Sequence, residues 1–565
     1  MSATATEQQM VNVQVDGEWK QFPKGTRLIE ACMKSGKYIP HYCYHPKLSS
    51  PGNCRMCLIE LGMPKRGPDG KPEMGEDGRP VIGWSPRPAI SCATEIAEGM
   101  AVKTDSPLAE ECRRGVMEFL LINHPLDCPI CDQAGECRLQ EFSVEFGNGG
   151  SRFLEEKVKK PKRVDIGPRI VLDDERCIMC SRCIRFMQEV AEDDVLGFVD
   201  RGSHTTLTVA PGRRLDSNYS LNTVDICPVG ALTSKDFRFK MRVWFLKETK
   251  SIDVSCGTGC NIIIGSRENM IQRITPREND FVNSCWIPDS HRLNFHYLYD
   301  ENRPLQPMVR QGEKLEAVKW NYALAQAGEK LQNSTPESLA MVVSARMTNE
   351  ELFLANRLAK ALGIKLLDVI PRPQEGDGYL ISKDGNPNTS GAQLLGMTSK
   401  TPGEKLEEIV TGVRSGKITG IIVLGENLED AGLTRDEIAK LDLLIVTGLR
   451  ASATTELATV LLPSAGWAEK RGSMINIGHR IQRLNKAVEP PQQARDDWEI
   501  LRDLIQAITG SNGIYMIEEI FKQLADEVPL LGDLSLSKIG DLGKQLDFEV
   551  PASVSRLPEK AEEKA

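Results

Sequence analysis

Apolar and polar residues alternate over Val11-Asn12-Val13-Gln14-Val15, the pattern of a half-buried β-strand. Asp16-Gly17 is a turn signal leading into a second short strand. Thr26 is placed to cap a helix that runs to Met33 and stops at Gly36. Further on, Leu108, Cys112, Val116, Phe119 and Leu120 recur at helical spacing and predict a helix over 105–123. Asp105 or Ser106 caps it, and Pro107 sits in its first turn. His124 precedes Pro125, where helical geometry is disfavoured, so its imidazole is expected in a loop. Between these segments, 62–88 is rich in Gly, Pro and charge and reads as a surface hairpin. Residues 251–290 are strand-rich. From about 336 short apolar runs alternate with helical patterns. Strands are expected at 339–344, 365–369, 420–425 and 443–447, and helices at 349–362, 405–415 and 434–441. Such alternation predicts a parallel sheet with helices on its faces.

Composition narrows the picture. The 565 residues are 40% hydrophobic and 26% charged, enough apolar material for several packed domains. A net charge of −9 argues against nucleic acid as the main partner. No apolar run approaches the ~18–20 residues of a membrane span, so a membrane is expected to be reached only through partners. The polar start, Met1 to Met10, resembles neither a secretory signal nor a mitochondrial presequence and reads as a frayed bacterial cytoplasmic terminus. The charged, small residues of 551–565 read as a disordered tail.

All 16 cysteines fall in the first 285 residues, and Cys-x2-Cys pairs recur among them, which favours metals over structural disulfides. Twelve soft ligands form three groups. The first is Cys43, Cys54, Cys57 and Cys92, whose long last gap is explained by the hairpin insertion. The second is His124, Cys128, Cys131 and Cys137. The third is Cys177, Cys180, Cys183 and Cys227, where three cysteines in tandem and a closing Cys-Pro match the bacterial ferredoxin pattern. Four thiolates, or three and an imidazole, are what an iron–sulfur cluster needs, and three such sets in one run suggest a path for electrons. Cys32 and Cys112 lie on helix faces and are read as small core residues. His41 and His45 are read as packing beside Cys43.

A fourth group is incomplete. Cys256, Cys260 and Cys285 supply three thiolates, and Asp253 stands three residues before Cys256. A complete cluster with Asp253, a three-iron cluster and an empty vestigial site are all open at this stage.

Together these residues resemble the family of large peripheral iron–sulfur subunits of NADH-quinone oxidoreductase (respiratory complex I). The resemblance rests most on the run from His124 to Cys137, on the Cys177–Cys227 set and on the ferredoxin-like start. It implies a 2Fe–2S cluster on the first group and 4Fe–4S clusters on the second and third, with a further 4Fe–4S or 3Fe–4S cluster at the fourth left open. The segments Ala458 to Pro463, Glu469 to Ser473, Asn476 to Arg480 and Ala494 to Trp498 resemble the molybdopterin oxidoreductase fold. Asp253 stands where molybdenum relatives place a first cysteine. No cysteine follows Cys285 and only 280 residues remain, so no molybdenum is expected.

The implied fold is multidomain α+β and α/β. A ferredoxin-like β-grasp covers 1–104, and a His/Cys3 domain 105–145. A ferredoxin-like 4Fe–4S domain covers 146–248, and a strand-rich domain with the incomplete motif 249–305. A truncated molybdopterin-oxidoreductase-like α/β domain covers 306–550, before the 551–565 tail. The implied function is electron transfer from a flavin-containing, NADH-oxidising subunit to downstream iron–sulfur subunits and quinone. The implied place is the cytoplasmic side of a bacterial inner membrane, within a complex, with no catalytic residue in this chain. The alternatives are the catalytic subunit of an NAD-linked formate dehydrogenase, which the short C-terminal part disfavours, and an iron-only hydrogenase, which would need a cysteine-rich domain after residue 285.

Overall fold

The computed structural model describes residues 9–547 except 77 and 512. The expected tail at 551–565 and most of the expected frayed start lie outside the described residues. The chain forms two compact units, Met1–Phe245 and Leu246–Ala565. It is a multidomain α/β mixture, as the sequence implies.

The first unit opens with the expected hairpin, Met10–Val15 against Glu18–Pro23. Its turn has positive φ at both Asp16 and Gly17 (48° and 90°), the geometry whose twist matches a two-residue hairpin. Strand Ala101–Lys103 runs parallel to the first strand and antiparallel to Leu58–Pro64, closing the β-grasp sheet around helix Leu28–Lys34. Thr26 does not cap that helix. Its hydroxyl donates back to Pro23 O at 2.7 Å, and Arg27 takes the capping position. Cys32 is fully buried in this core, as expected. The inserted stretch leaves and re-enters the sheet as an antiparallel pair, Leu58–Pro64 with Ile82–Trp84.

Helix Pro107–Ile122 is capped by Ser106, which accepts from Ala109 N at 3.3 Å. Its inward face matches the predicted stripe in part: Val116 and Leu120 pack against the buried core, but Ala109, Arg113 and Met117 are the buried positions, Cys112 is only partly covered, and Phe119 is 78% exposed. Arg113 belongs to that face through its guanidinium, which donates to Thr104 O and lies 5.3 Å over Phe146.

The second unit begins with a three-stranded antiparallel sheet, Lys247–Ile252, Asn261–Arg267 and Met270–Pro276. Its main sheet has seven strands. Five are parallel, in the spatial order Leu366–Val369, Leu339–Val343, Gly420–Leu424, Leu443–Gly448, Val460–Pro463, and an antiparallel hairpin (Met308–Gln311, Lys314–Ala317) finishes one edge. Both faces are buried. Met341, Val343, Ile422 and Ile445 join a core with helices Trp320–Gln332, Asn349–Ala361, Asp497–Thr509 and Ile517–Glu527. Val342, Ile421, Val423 and Leu444 join another with helix Leu406–Arg414. This two-sided burial is why the strands read as unbroken apolar runs. Of the helix expected at 434–441, only Arg435–Ile438 is regular, held by a capping box between Thr434 and Glu437.

Glu350 is buried behind this sheet and accepts from Ser473 N (2.9 Å) and Ser473 Oγ (2.8 Å). Burial lifts its carboxyl from 4.5 to about 7. The folded chain therefore keeps a proton that the unfolded chain loses from about pH 4.5 upward. Stability that is complete below that pH is lost as pH rises through about 7. At ~1.4 kcal/mol per pKa unit, Glu350→Gln is expected to flatten this decline and to stabilise the second unit by ~1–3 kcal/mol at pH 8. Denaturation at pH 5 and pH 8 measures both slopes, and equal slopes in variant and parent would contradict the assignment.

Candidate metal centres

The first group assembles on the loop after helix Leu28–Lys34 and on the sheet's own return. Cys43, Cys57 and Cys92 are buried and Cys54 is half-buried. Cys54 contacts Cys43, Cys43 contacts Cys92, and Cys92 contacts Cys57, so the four thiols converge. Cys43 N donates to Cys54 Sγ at 3.5 Å. The Cys92 contact holds the Cys57 thiol below its ordinary range, whereas contact with Cys43 together with burial drives Cys54 upward. Arg55, between Cys54 and Cys57, has φ of 63°, a left-handed conformation that folds the loop back on the thiols.

The second group follows helix Pro107–Ile122 at once. Lys157 Nζ donates to Leu121 O (2.8 Å) and Ile122 O (2.7 Å), closing the helix C-terminus with a cation. His124, Cys128, Cys131 and Cys137 line one small cavity with Arg176 and Gly230. Burial, reinforced by the charges of Arg176 and Lys157, lowers the His124 imidazole to about 4. The ring is therefore neutral at physiological pH, the form in which a nitrogen ligates metal. The expected turn at Gly135 has φ of 94°.

The third group sits between them. Cys177, Cys180, Cys183 and Cys227 line a small cavity together with Phe198, Leu207 and Val229. Burial raises all four thiols, Cys180 to about 12. Main-chain N–H groups of Met179, Arg182 and Ile184 point at the tandem sulfurs, and those of Val229, Ala231 and Leu232 at Cys227. Met179 and Ser181 adopt positive φ (53° and 61°), which turns successive amides toward one centre.

Among the described residues no three His, Cys, Asp or Glu side chains are close enough to hold a single metal ion. Ligands of a multi-iron cluster stand apart by the width of the cluster, so cavities ringed by four soft donors and amide N–H groups fit a cluster better than an ion. Gly230 sharpens this fit. A Cβ there would come within 2.4 Å of Cys131 Sγ, so only glycine lets the Cys227 loop pass behind the second group. Gly230→Ala is expected to displace Cys131 and cost the second group its iron, leaving the first and third loaded. Iron counting with low-temperature EPR checks this, and an unchanged iron content would count against it.

The fourth group is brought together differently. Cys256 and Cys260 are fully buried, Cys260 next to Cys256 and Asp253, and Tyr379 adjoins both Cys285 and Cys260. Asp253 lies among them, but its carboxylate is engaged. Oδ1 accepts from Ser255 Oγ at 2.8 Å, and Oδ2 pairs with His291 Nδ1 at 3.0 Å. Burial works against charge on His291, but Asp253 outweighs it and keeps the imidazole above its ordinary range. Nothing in the sequence spacing signals His291, which is 38 residues downstream of Asp253. Gly230, Arg176 and Arg182 are likewise found only in the fold, although Arg176 and Arg182 each adjoin a ligand cysteine. In the second unit a cavity of ≈ 320 Å³ opens at the C-terminal ends of the parallel strands, lined by Ser344, Arg346, Glu426, Arg450 and Ser464 among others. No cysteine is among the described residues that line it.

Family matches follow the same order along the chain. The 2Fe-2S iron-sulfur cluster binding domain matches residues 8–107. The NADH-ubiquinone oxidoreductase-G iron-sulfur binding region matches 113–152, and the ferredoxin-like domain of NADH-quinone oxidoreductase subunit 3 matches 167–233. The NDSU1/NuoG-like 4Fe-4S domain of NADH-ubiquinone oxidoreductase matches 246–296, and molybdopterin oxidoreductase matches 303–374 and 378–507. One 2Fe–2S domain and several 4Fe–4S binding domains are thus present. The NADH-quinone oxidoreductase G subunit of Rickettsia felis is 40% identical over 354 residues, 63% of this chain and 49% of its own. The NADH-quinone oxidoreductase subunit 3 of Thermus thermophilus is 40% identical over 373 residues, 64% and 47% respectively. The chain thus spans about half the length of these two relatives. The corresponding G subunit of Rickettsia bellii is 29% identical over 667 aligned positions that cover 98% of this chain and 94% of the relative. From the ferredoxin-like start to the molybdopterin-type sheet, the chain is a homologue of the NADH-quinone oxidoreductase G subunits.

Proposed function

We propose that this chain is an electron-transfer subunit of an NADH-quinone oxidoreductase. It takes electrons from a flavin-bearing, NADH-oxidising subunit and passes them toward quinone through further iron–sulfur subunits. The observation that carries this reading is a single buried cluster shared by all three ligand groups. Tyr42, Met56, Met117, Leu139, Phe142, Val229 and Ala231 pack there with Cys43, Cys54, Cys137, Cys177, Cys180 and Cys227. One rigid core in contact with every group fixes their mutual distances, which electron transfer requires.

The first group would hold a 2Fe–2S cluster, and the second and third 4Fe–4S clusters. When bound, each would accept and release one electron at a time. The chain's own residues bury the sites, exclude water with Phe142, Phe198 and Leu207, and aim amide N–H groups at the sulfurs, where added negative charge is stabilised. His124, kept neutral, offers an imidazole that leaves its site less negative than four thiolates would. Among the described residues no helix is long and apolar enough to cross a membrane. We place the chain on the cytoplasmic face of the inner membrane, held there by partner subunits.

The test is iron and sulfide quantification of the full chain, with low-temperature EPR after dithionite reduction. Three clusters correspond to about ten irons, and a loaded fourth site to about fourteen. NADH should reduce the chain only when the flavin subunit is present. A colourless, iron-free chain would sink the proposal.

A further inference from the structure

One short helix joins two of the ligand groups. Arg182–Glu189 begins between Cys180 and Cys183, and positions 182, 185 and 189 fall on one helical face. Each of the three reaches the loop that carries Cys43. Arg182 Nη2 donates to Tyr44 O at 2.5 Å, while its Nη1 donates to Ile226 O at 3.1 Å, beside Cys227. Arg185 Nη2 donates to Cys43 O at 2.5 Å, and its Nη1 donates to Ser49 O. Ser49 N in turn donates to Glu189 Oε2 at 2.8 Å. One residue before Cys180, Met179 O accepts from Asn53 Nδ2 at 3.4 Å. Most of these bonds end on main-chain atoms of the ligand loops, so they hold backbone against backbone.

We infer that Arg182, seconded by Arg185, is a positioning residue that fixes the Cys43 group against the Cys177 group and biases both toward the reduced state together. The inference rests on the reading of both groups as cluster sites.

The guanidinium of Arg182 is a fork of fixed shape, and here its two prongs serve two different groups. The ionisable neighbours that act most on it include Cys180 and Cys227 of one group and Cys43 of the other. A positive charge in that position, with that of Arg185 one turn along, stabilises an added electron on either side, and it does so over a short, partly buried distance where screening is weak. Removing it must therefore move both potentials in the same direction, to more negative values. A residue with a purely local packing role in the Cys177 loop would not move the Cys43 group. Lysine at this position would keep the charge but lose the fork, because an ammonium cannot present two fixed, parallel donors to Tyr44 O and Ile226 O. Charge and geometry can thus be separated.

The experiment is a redox titration of the full chain followed by low-temperature EPR, with iron and sulfide counted in each variant. Arg182→Leu is expected to keep its iron and to make both groups at least tenfold harder to reduce, a fall of about 59 mV in each one-electron midpoint. Arg182→Lys is expected to stay within threefold of the parent in both midpoints but to weaken the spin–spin interaction between the two reduced groups. A shift confined to the Cys177 group, or none, overturns the inference. If Arg182→Leu loses iron, Arg182→Lys decides alone, and an unchanged spin–spin interaction then overturns it. An unaltered chain without iron would instead refute the assignment of the two groups as cluster sites, which is a separate failure.

Discussion

Replacing Cys227 by Ala is expected to cost the chain about four irons, one 4Fe–4S cluster, while the EPR signals of the other two groups persist. Cys227 lies 44 residues after Cys183 in sequence, yet both line the same cavity. It is the only ligand of the third group that does not come from the tandem Cys177–Cys183 loop, so no neighbouring cysteine can substitute for it. Its sulfur also receives the amides of Val229, Ala231 and Leu232. Cys112→Ala and Cys32→Ala serve as controls, because Cys112 lies on the half-covered face of its helix and Cys32 packs on helix Leu28–Lys34 in the β-grasp core, where it is read as a small apolar residue and not a ligand. Both should leave the iron count unchanged. An undiminished count in Cys227→Ala, or a loss in either control, would show that the ligand set is drawn wrongly.

The second large effect is expected within the second unit. Lys470 is buried between Glu351 (2.8 Å) and Asp497 (3.1 Å). Burial alone would strip its charge, but the two carboxylates outweigh that and hold its pKa above the ordinary lysine range. Lys470→Met leaves two buried carboxylates without their cation. Breaking a buried pair in this way costs ~3–5 kcal/mol. Calorimetry of the full chain should show the transition of the second unit falling by at least ~5 °C while visible absorption of the first unit holds. Glu351 also closes the capping box of helix Asn349–Ala361, so the loss should be largest where that helix meets the sheet. A shift of less than ~1 °C would mean that the network is not held by charge.

What could be read in the sequence depended on how local the cause was. The three ligand groups were legible because Cys-x2-Cys spacing is short-range chemistry. The parallel sheet was legible because strands buried on both faces are apolar at every position, as in Leu339–Val343. The face of helix Pro107–Ile122 was legible only in part: Val116 and Leu120 pack inward as their spacing suggests, but Arg113 is buried through its bond to Thr104 O, and no periodicity rule anticipates a buried arginine. Thr26 carries a good capping side chain, but its hydroxyl donates to Pro23 O and Arg27 stands at the cap. The fourth group shows the limit most clearly. Asp253 looked like a spare ligand in one dimension, whereas in three its oxygens face Ser255 and His291. Such partners orient a carboxylate and are compatible with its ligating a metal through either oxygen, so the contacts leave the Asp253 reading open.

The hairpin between Cys57 and Cys92 has a practical side. It departs and returns through adjacent strands, with Gly62 opposite Trp84 and Pro64 opposite Ile82, so its far end contributes nothing to the spacing of the thiols. Its turns at Gly70 and Gly78 are open to solvent, with no atom within 4 Å of where a Cβ would stand. Added length at such a tip raises the closure entropy only logarithmically. Gly70 itself has φ of 75°, which side chains rarely adopt, so a spin label, a fluorophore or a short affinity peptide is better carried at the exposed Lys71 beside it, as on a mast, reporting on the proposed docking while the thiols beneath stay undisturbed.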